Sequence, residues 1–310
     1  MGRRRVGFVN RFALTAGVVL GVVLAAQQPV FRVDVRLVRL LVTVKDAGGR
    51  AVGGLERDDF TVYDNDTRQE LAVFERHTEQ PLSVALLVDT SASTGIQLGY
   101  ETESASRFLR ALLKEGNPKD SASLYSFTHD VHLRSSFTRN LGRLDRELKE
   151  LRAEAGTSLY DAIWFASRAI SDRNGRHVLV LVSDGGDTTS AKTFRDALDA
   201  AQMADAVLYS VVVIPVPNPP GRNIGGEHAL ITLSQSTGGR VFTPELGPAL
   251  DEAFREILRD LRTQYLLAYY PKNVPPTTDR FHRLRVELNR LDLRVSSRTG
   301  YYGDYSGPNR

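Results

Sequence analysis

The sequence predicts an α/β protein with a doubly wound, mostly parallel sheet, joined to a small β-sandwich-like unit built from the two flanks of the chain. Between residues 81 and 262, short apolar runs alternate with segments of helical periodicity. On either side of that region, apolar and polar residues alternate with a period of two, which indicates antiparallel strands. The chain has 310 residues, 42% hydrophobic and 25% charged, which suits about two folded domains.

The first 26 residues have the pattern of a secretory signal peptide. Arginines at positions 3, 4, 5 and 11 precede an apolar run from Phe12 to Ala26, and Ala25 and Ala26 are small enough for cleavage. An uncleaved membrane anchor is the alternative, although the run is shorter than the ~20 residues of a comfortable membrane span. We therefore expect an exported protein that is either periplasmic or secreted to the cell surface.

Charge and cysteine content exclude several classes of function. The whole chain carries a formal net charge of +3, but residues 1–26 hold four arginines and no acidic residue, which leaves −1 for the rest. The basic excess thus belongs to the export segment, and we expect no nucleic-acid partner. The absence of cysteine excludes disulfides, a thiol nucleophile and a cysteine-ligated metal.

Two β-rich flanks are predicted, at residues 29–80 and 263–302. Neither flank has enough strands to bury a face alone, so we expect residues 263–302 to pair with residues 29–80. Two separate appendages are the alternative, because consecutive strands commonly pair with each other. Residues 303–310 are predicted to form a frayed tail. The strand-like runs are Val30–Lys45, Phe60–Tyr63 and Glu70–Phe74 in the first flank, and Tyr265–Tyr270, Phe281–Asn289 and Leu293–Arg298 in the second.

Residues 81–262 are predicted to form the α/β domain. Its first strand, Ser83–Val88, is a continuous apolar run, as expected for a strand that is buried on both faces. Trp164 and Phe165 are expected to be core residues of a helix. The later strands are predicted at 121–127, 131–137, 178–182, 207–214 and 240–242, and the helices at 97–114, 141–154, 159–170, 193–203, 229–236 and 248–262.

Three polar motifs lie at strand or helix ends of this domain. The pentapeptide from Asp89 to Ser93 follows the first buried strand, Gly156-Thr157-Ser158 opens a helix, and Ser183-Asp184-Gly185 ends another buried strand. Ligands of open α/β sheets bind outside the carboxyl ends of the strands, where both aspartates fall. The candidate metal-binding set is Asp89, Ser91, Ser93, Thr157 and Asp184.

All five side chains are hard oxygen donors, which suit Mg²⁺, Mn²⁺ or Ca²⁺ rather than zinc or copper. We expect Mg²⁺, with Mn²⁺ or Ca²⁺ as alternatives, to be held directly by the neutral hydroxyls while the carboxylates hold its waters. A cation bound in this way stays open to a carboxylate supplied from outside. The alternative for the pentapeptide alone is a helix cap with its turn, because Asp, Ser and Thr favour helix starts.

The pattern Asp89-x-Ser91-x-Ser93, with Thr157 and Asp184, resembles the metal-ion-dependent adhesion site of von Willebrand factor A (vWA) domains. The stretches T-S-L-Y-D-A-I and L-V-S-D-G-G-D are similar to the threonine and aspartate loops of that family. Flanking stretches such as V-T-V-K-D-A-G-G-R-A-V and Y-L-L-A-Y-Y-P are similar to those of exported bacterial vWA proteins.

This resemblance implies a Rossmann-like fold for residues 81–262 and a complete set of site residues. It implies that Ser91, Ser93 and Thr157 are direct ligands. Asp89 and Asp184 would act directly or through water. It also implies a partner that supplies an Asp or Glu and, in some members, a shift of the last helix on binding.

Nearby polar residues are predicted to have structural roles. Asp161 is expected to complement the dipole of the helix that contains it. Asp187 is expected to cap the next helix or turn, with a role in holding a metal-bound water as the alternative. His129 and His132 are expected at the surface, because no third ligand at zinc spacing accompanies them.

The sequence thus predicts a metal-dependent protein-binding module of the cell envelope, not an enzyme. It would bind an acidic group of a protein partner through the cation, with no membrane contact beyond an uncleaved anchor. One alternative is a structural part of an envelope assembly in which the metal only stabilises the fold. The other is a hydrolase or phosphotransferase, disfavoured because Ser91 stands where aspartyl-phosphate enzymes carry a second Asp and no phosphate-binding Gly-rich loop is evident.

Overall fold

Short strands open the described part of the chain. The computed structural model describes residues 37–76, 79–92, 97–213, 224–245, 247–275 and 277–303. The predicted signal peptide, the beginning of the strand predicted from Val30, the candidate ligand Ser93 and residues 304–310 lie outside the described residues. The strands of the N-terminal flank are β1 (Val38–Lys45), β2 (Phe60–Asp64), β3 (Thr67–Gln69) and β4 (Val73–Glu75).

Strands and helices then alternate before the chain returns to strands. The middle elements are β5 (Leu82–Asp89), α1 (Leu98–Glu115), β6 (Ser121–Phe127), β7 (Val131–Thr138), α2 (Leu141–Lys149), α3 (Leu159–Ile170), β8 (Arg176–Ser183), α4 (Phe194–Met203), β9 (Ala206–Val212), α5 (Ile224–Ser236), β10 (Val241–Phe242) and α6 (Pro248–Thr263). The C-terminal strands are β11 (Tyr265–Tyr269), β12 (Phe281–Leu288), β13 (Arg294–Ser296) and β14 (Gly300–Tyr302). Among the described helices, none is both long and apolar enough to cross a membrane.

The middle strands form one six-stranded sheet in the order β10-β9-β8-β5-β6-β7. Strand β5 pairs in parallel with β6 on one side and with β8 on the other. The edge strand β7 runs antiparallel to β6, so the sheet is mixed but mostly parallel. This confirms the predicted doubly wound sheet.

Helices cover both faces of this sheet, and the side chains of β5 point alternately to the two layers. Leu82, Val84, Leu86 and Val88 belong to a core that includes apolar residues of α1, α2 and α6. Ala85 and Leu87 belong to a second core with residues of α3, α4 and α5. Burial on both faces explains why the β5 sequence is apolar without interruption.

The two flanks build a pair of antiparallel sheets that share a third core. One sheet has the order β13-β1-β11-β4 and the other β14-β12-β2-β3, so each combines strands from both ends of the chain. Val42 pairs with Tyr265 in the first sheet, and Val62 pairs with Val286 in the second. Leu40, Val62, Tyr265 and Val286 are buried together between the sheets. The prediction that the flanks join in one sandwich-like unit is confirmed, and the α/β region is inserted within it.

Several predicted elements differ in extent from the structure. Helix α2 ends at Lys149 instead of residue 154, because the Glu154 N–H donates to the carbonyl of Thr90 (2.9 Å) and not to the helix. The strand predicted over residues 70–74 is shorter and begins later, as β4 over Val73–Glu75. Residues 70–72 connect β3 to β4, which belong to different sheets, so the chain crosses between the sheets there.

Candidate metal centre

The site begins at the carboxyl ends of two adjacent parallel strands. Val88 of β5 is in register with Val182 of β8, which sets the next residues, Asp89 and Ser183, side by side. The Ser183 hydroxyl donates a hydrogen bond of 2.6 Å to Oδ2 of Asp89. Asp184 follows directly, and its carboxylate accepts a bond from the N–H of Gly186 (3.2 Å). The strand register therefore brings both predicted aspartates to one edge of the sheet.

Asp89 is fully buried and is held by neutral donors. Its Oδ1 accepts a hydrogen bond from the N–H of Ser91 (2.8 Å), which holds the turn that follows the strand. Burial raises the pKa of Asp89 to about 6; hydrogen bonds from Ser183 and Ser91 oppose this shift, and the nearby charge of Asp184 adds to it. A buried carboxylate of this kind is stabilised as an anion by a cation placed beside it.

Thr157 is fixed by its backbone between two loops. Its N–H donates to the Thr188 hydroxyl (3.0 Å), and its carbonyl accepts the N–H of Thr188 (2.9 Å). The next residue, Ser158, donates its N–H to the carbonyl of Thr128 (2.7 Å), just beyond β6. Residue Thr157 is therefore held near the carboxyl edge of the sheet by contacts that do not use its hydroxyl.

Glycine is required immediately before Thr157. Gly156 has φ +89°, a conformation that side chains disfavour, and a Cβ there would lie 3.0 Å from the backbone of His129. The Ser158 hydroxyl donates to the carbonyl of that same His129 at 2.5 Å. The loop that carries Thr157 thus packs directly on the turn between β6 and β7.

Asp187 and Asp161 join the two loops of the site. Oδ1 of Asp187 accepts the N–H groups of Leu159 (2.9 Å) and Tyr160 (3.3 Å), so it caps α3. Asp187 also accepts the hydroxyl of Ser190 in the turn that follows it (2.6 Å), as predicted, but the helix that it caps precedes it in sequence. Asp161 lies in the first turn of α3 and accepts the N–H groups of Ala191 and Lys192.

The arrangement fits a hard divalent cation by the chemistry of its donors. Asp89, Ser91, Thr157 and Asp184 lie on the loops that meet at this edge, and Ser91 and Thr157 are buried hydroxyl-bearing residues. The part of the chain that the structure describes holds no cluster of three or more His, Asp or Glu side chains placed to bind a metal. The sequence predicts direct ligation by hydroxyls, with carboxylates in support.

Two residues near the site escaped the sequence prediction. Ser183 enters the sequence motif only as the neighbour of Asp184, yet its hydroxyl bonds to the Asp89 carboxylate and positions it. Glu101, in the first turn of α1, is only 1% exposed. The sequence feature that could have identified Glu101 is its place on the apolar face of a predicted helix, which it shares with Leu98 and Phe108.

Comparison with known proteins identifies the middle of the chain. The family model of the von Willebrand factor type A domain matches residues 84–186. No curated protein sequence matches the chain significantly.

Solved structures of similar fold include three bacterial proteins. The vWF domain of the type V pili tip protein Mfa5 from Porphyromonas gingivalis is 16% identical, with a TM-score of 0.46 over 57% of this chain and 94% of that one. The conserved hypothetical protein BatB from Bacteroides thetaiotaomicron is 16% identical, with a TM-score of 0.47 over 58% and 98%. The PilB minor pilin from Streptococcus sanguinis is 12% identical, with a TM-score of 0.45 over 59% and 63%. Residues 84–186 thus match the von Willebrand factor type A domain family, and the six-stranded sheet with its helices has a vWA-like fold.

Proposed function

We propose that the chain is an exported, divalent-cation-dependent protein-binding module of the cell envelope. The observation that supports the proposal is the bond between Ser183 and Asp89 at the carboxyl ends of β5 and β8, beside Ser91 and Asp184. The loop that carries Thr157 is bonded to the loop that follows β8. The preferred cation is Mg²⁺, with Mn²⁺ and Ca²⁺ as alternatives, because the donors are all oxygen. Export is supported by the basic and apolar pattern of residues 1–26.

Each site residue has a defined task in this proposal. Ser91, Ser93 and Thr157 bind the cation through their hydroxyls, while Asp89 and Asp184 act directly or through water. Ser183 holds the Asp89 carboxylate in one orientation. The bound cation supplies a Lewis acid that an Asp or Glu of a protein partner completes, so the partner is selected for an acidic contact residue.

Binding is favoured over catalysis by the residues at the site. Ser91 occupies the place of the second acid of aspartyl-phosphate enzymes, and a serine hydroxyl does not act as their general acid and base. A vWA domain is a type of domain that commonly mediates protein interactions, which agrees with a binding role.

The first test is thermal unfolding of the purified protein with Mg²⁺, with Mn²⁺ and with EDTA. A cation that binds the folded state raises its midpoint, and the Ser91→Ala/Ser93→Ala variant should lose that increase while keeping its midpoint in EDTA. A variant that responds like the wild type would exclude these ligands. Loss of folding in the variant would favour the purely structural alternative.

The second test addresses the partner's chemistry. Peptides from a random library are selected on the immobilised protein in Mg²⁺ and counter-selected on the Ser91→Ala/Ser93→Ala variant. We expect the retained peptides to share an Asp or Glu and to elute with EDTA. Retained peptides without an acidic residue, or elution that EDTA does not affect, would contradict capture through the cation.

A further inference from the structure

The start of α1 buries three acceptor oxygens that have no donor among the described residues. Glu101 is 1% exposed and Gln97, four residues earlier, is 4% exposed. Within the described residues, the two carboxylate oxygens of Glu101 have no hydrogen-bond partner, and Oε1 of Gln97 has none either. Residues four apart lie on the same face of a helix, so the three oxygens share one side of this turn.

An unpartnered acid in such a place is costly for the fold. The buried face of α1 is otherwise built from small or apolar residues such as Leu98, Ala105, Phe108 and Leu112. A carboxylate that is buried without a donor or a counter-charge destabilises the folded protein, because it loses its hydration and gains no partner. An apolar residue would serve packing better, which indicates a role other than packing.

Glu101 lies near the aspartates of the proposed cation site. Burial is the main reason that the pKa of Glu101 is raised to about 8, and the negative charges of Asp89 and then Asp184 raise it further. Both aspartates are therefore close enough to repel a charged Glu101.

We propose that Glu101 is a third carboxylate of the cation site, which holds a cation-bound water together with Gln97 and is not a direct ligand. This inference rests on the proposed function and concerns the same site. Action through water is proposed because the buried oxygens of Glu101 and Gln97 have no donor among the described residues. The bound water supplies the donor that the buried oxygens lack.

The additional charge changes how the site behaves without its partner. A third carboxylate in the outer sphere strengthens the attraction of the site for a divalent cation and leaves a coordination position to the carboxylate of the partner. The site therefore retains its cation before any outside carboxylate arrives, and cation binding is measurable on the isolated protein. Neutralising Glu101 weakens that retention, by about 10–100-fold in the dissociation constant, which is typical for loss of an outer-sphere partner of a metal site.

The test compares Glu101→Gln with Glu103→Gln, using isothermal titration with Mg²⁺ and unfolding in EDTA. Glu103 lies in the same helix and loses the same charge, but its side chain is 71% exposed, which makes it the matched control. We expect Glu101→Gln to weaken Mg²⁺ binding by about 10–100-fold while its midpoint in EDTA equals or exceeds that of the wild type. Glu103→Gln should leave both unchanged.

The outcomes separate this inference from the function on which it rests. If the wild type binds Mg²⁺, Ser91→Ala/Ser93→Ala does not, and Glu101→Gln binds as tightly as the wild type, the cation site stands and the role of Glu101 is refuted. A Glu101→Gln variant that unfolds more readily in EDTA also refutes it, because the residue is then structural. A wild type that binds no divalent cation overturns both proposals.

Discussion

At the scale of single residues, Asp64 is the main polar link between the two sheets of the sandwich. It is fully buried at the end of β2, and its Oδ2 accepts the hydroxyls of Tyr269 and Tyr301 at 2.8 Å each. Its Oδ1 lies 3.0 Å from Nδ1 of His282. Burial raises the pKa of both tyrosines, so their hydroxyls stay protonated and donate.

Removing the Asp64 carboxylate should destabilise the sandwich strongly. Asp64→Ala leaves the buried hydroxyl of Tyr269 and the half-buried hydroxyl of Tyr301 without their acceptor, and the buried one alone costs about 1–3 kcal/mol. Tyr301→Phe removes only one donor and should cost about 1 kcal/mol. Urea unfolding measures both, with the exposed Glu70→Ala as the control that stays within about 0.5 kcal/mol of the wild type. Equal effects of Asp64→Ala and Glu70→Ala would contradict this role.

Glu101 predicts the pH dependence of the metal-free protein. Its pKa is about 8 in the folded state against 4.5 for the ordinary side chain. Between these values the unfolded chain releases the proton that the folded chain keeps, so the free energy of unfolding falls as pH rises from 4.5 to 8. In EDTA, Glu101→Gln should remove this loss, on the order of a few kcal/mol at pH 8, and match the wild type near pH 4.5. Parallel pH profiles of wild type and variant would contradict it.

The candidate ligands were predictable because their motifs are local in sequence. Asp89, Ser91 and Ser93 lie within one pentapeptide, and Asp184 ends an apolar run. The role of Ser183 depends on the register between β5 and β8, which no local pattern contains. The position of Glu101 depends on which face of α1 meets the sheet edge.

At the scale of elements, the loop after β8 serves as the cap of α3. Asp187 accepts two N–H groups at the start of that helix and also the hydroxyl of Ser190 (2.6 Å). The loop thereby fixes the start of α3, two residues after Thr157. A change in this cap should reach the cation site through the Thr157 backbone.

We therefore expect Asp187→Ala to weaken both stability and the cation response. Loss of the cap costs about 0.5–2 kcal/mol, and release of the Thr157 loop weakens Mg²⁺ binding. Thr193→Ala is the matched control, because Thr193 caps α4 together with Asp196, and the hydrogen bonds of this cap involve no residue of the cation site. It should lower stability by a similar amount and leave Mg²⁺ titration unchanged. A Mg²⁺ response that is equally strong in the two variants would show that the cap is only structural.

Periodicity predicted long elements well and short or aromatic ones poorly. Helix α3 and strand β6 have the predicted bounds, because several turns or pleats establish their period. Strand β14 has three residues, too few for alternation to emerge. Phe165 was expected in the core but is 48% exposed, and Trp164 is half-buried, since Ala162, Ile163 and Ala166 occupy the inner face of α3.

At the scale of the whole molecule, polar contacts join the sandwich to the α/β layer. Asp260 of α6 is buried and contacts Nζ of Lys45 in β1 (2.9 Å) and Nε of Arg240 (2.9 Å). Burial lowers the pKa of Lys45, while its bond to Asp260 opposes that shift. At the end of α5, the N–H of Thr299 donates to the carbonyl of Ser236 (3.0 Å). Residues 35–310 accordingly form one compact unit.

This unity predicts a single unfolding transition. Trp164 is the only tryptophan of the chain and reports on the α/β layer, whereas far-ultraviolet circular dichroism reports on all strands and helices. The two urea curves should coincide. Asp260→Ala removes the buried carboxylate that Lys45 and Arg240 share. The free energy of unfolding should fall by about 3–5 kcal/mol in both curves. Glu252→Ala, on the exposed side of α6, is the control that should not lower it in this way. Separate midpoints for the two signals would mean that the sandwich and the α/β layer unfold independently.

The insertion of the α/β region between the two halves of the sandwich was predictable, because each flank alone has too few strands to bury a face.

This insertion affects the order in which the parts of the sandwich are synthesised. Strand β1 lies between β11 and β13, with Val42 opposite Tyr265 and Lys45 opposite Arg294. Synthesis therefore delivers β1 long before its neighbours β11 and β13, while the strands of the α/β sheet follow and pair among themselves. Until the last flank emerges, β1 presents two open edges that any other extended chain can occupy, so the nascent protein is most prone to misassociation just before its sandwich closes.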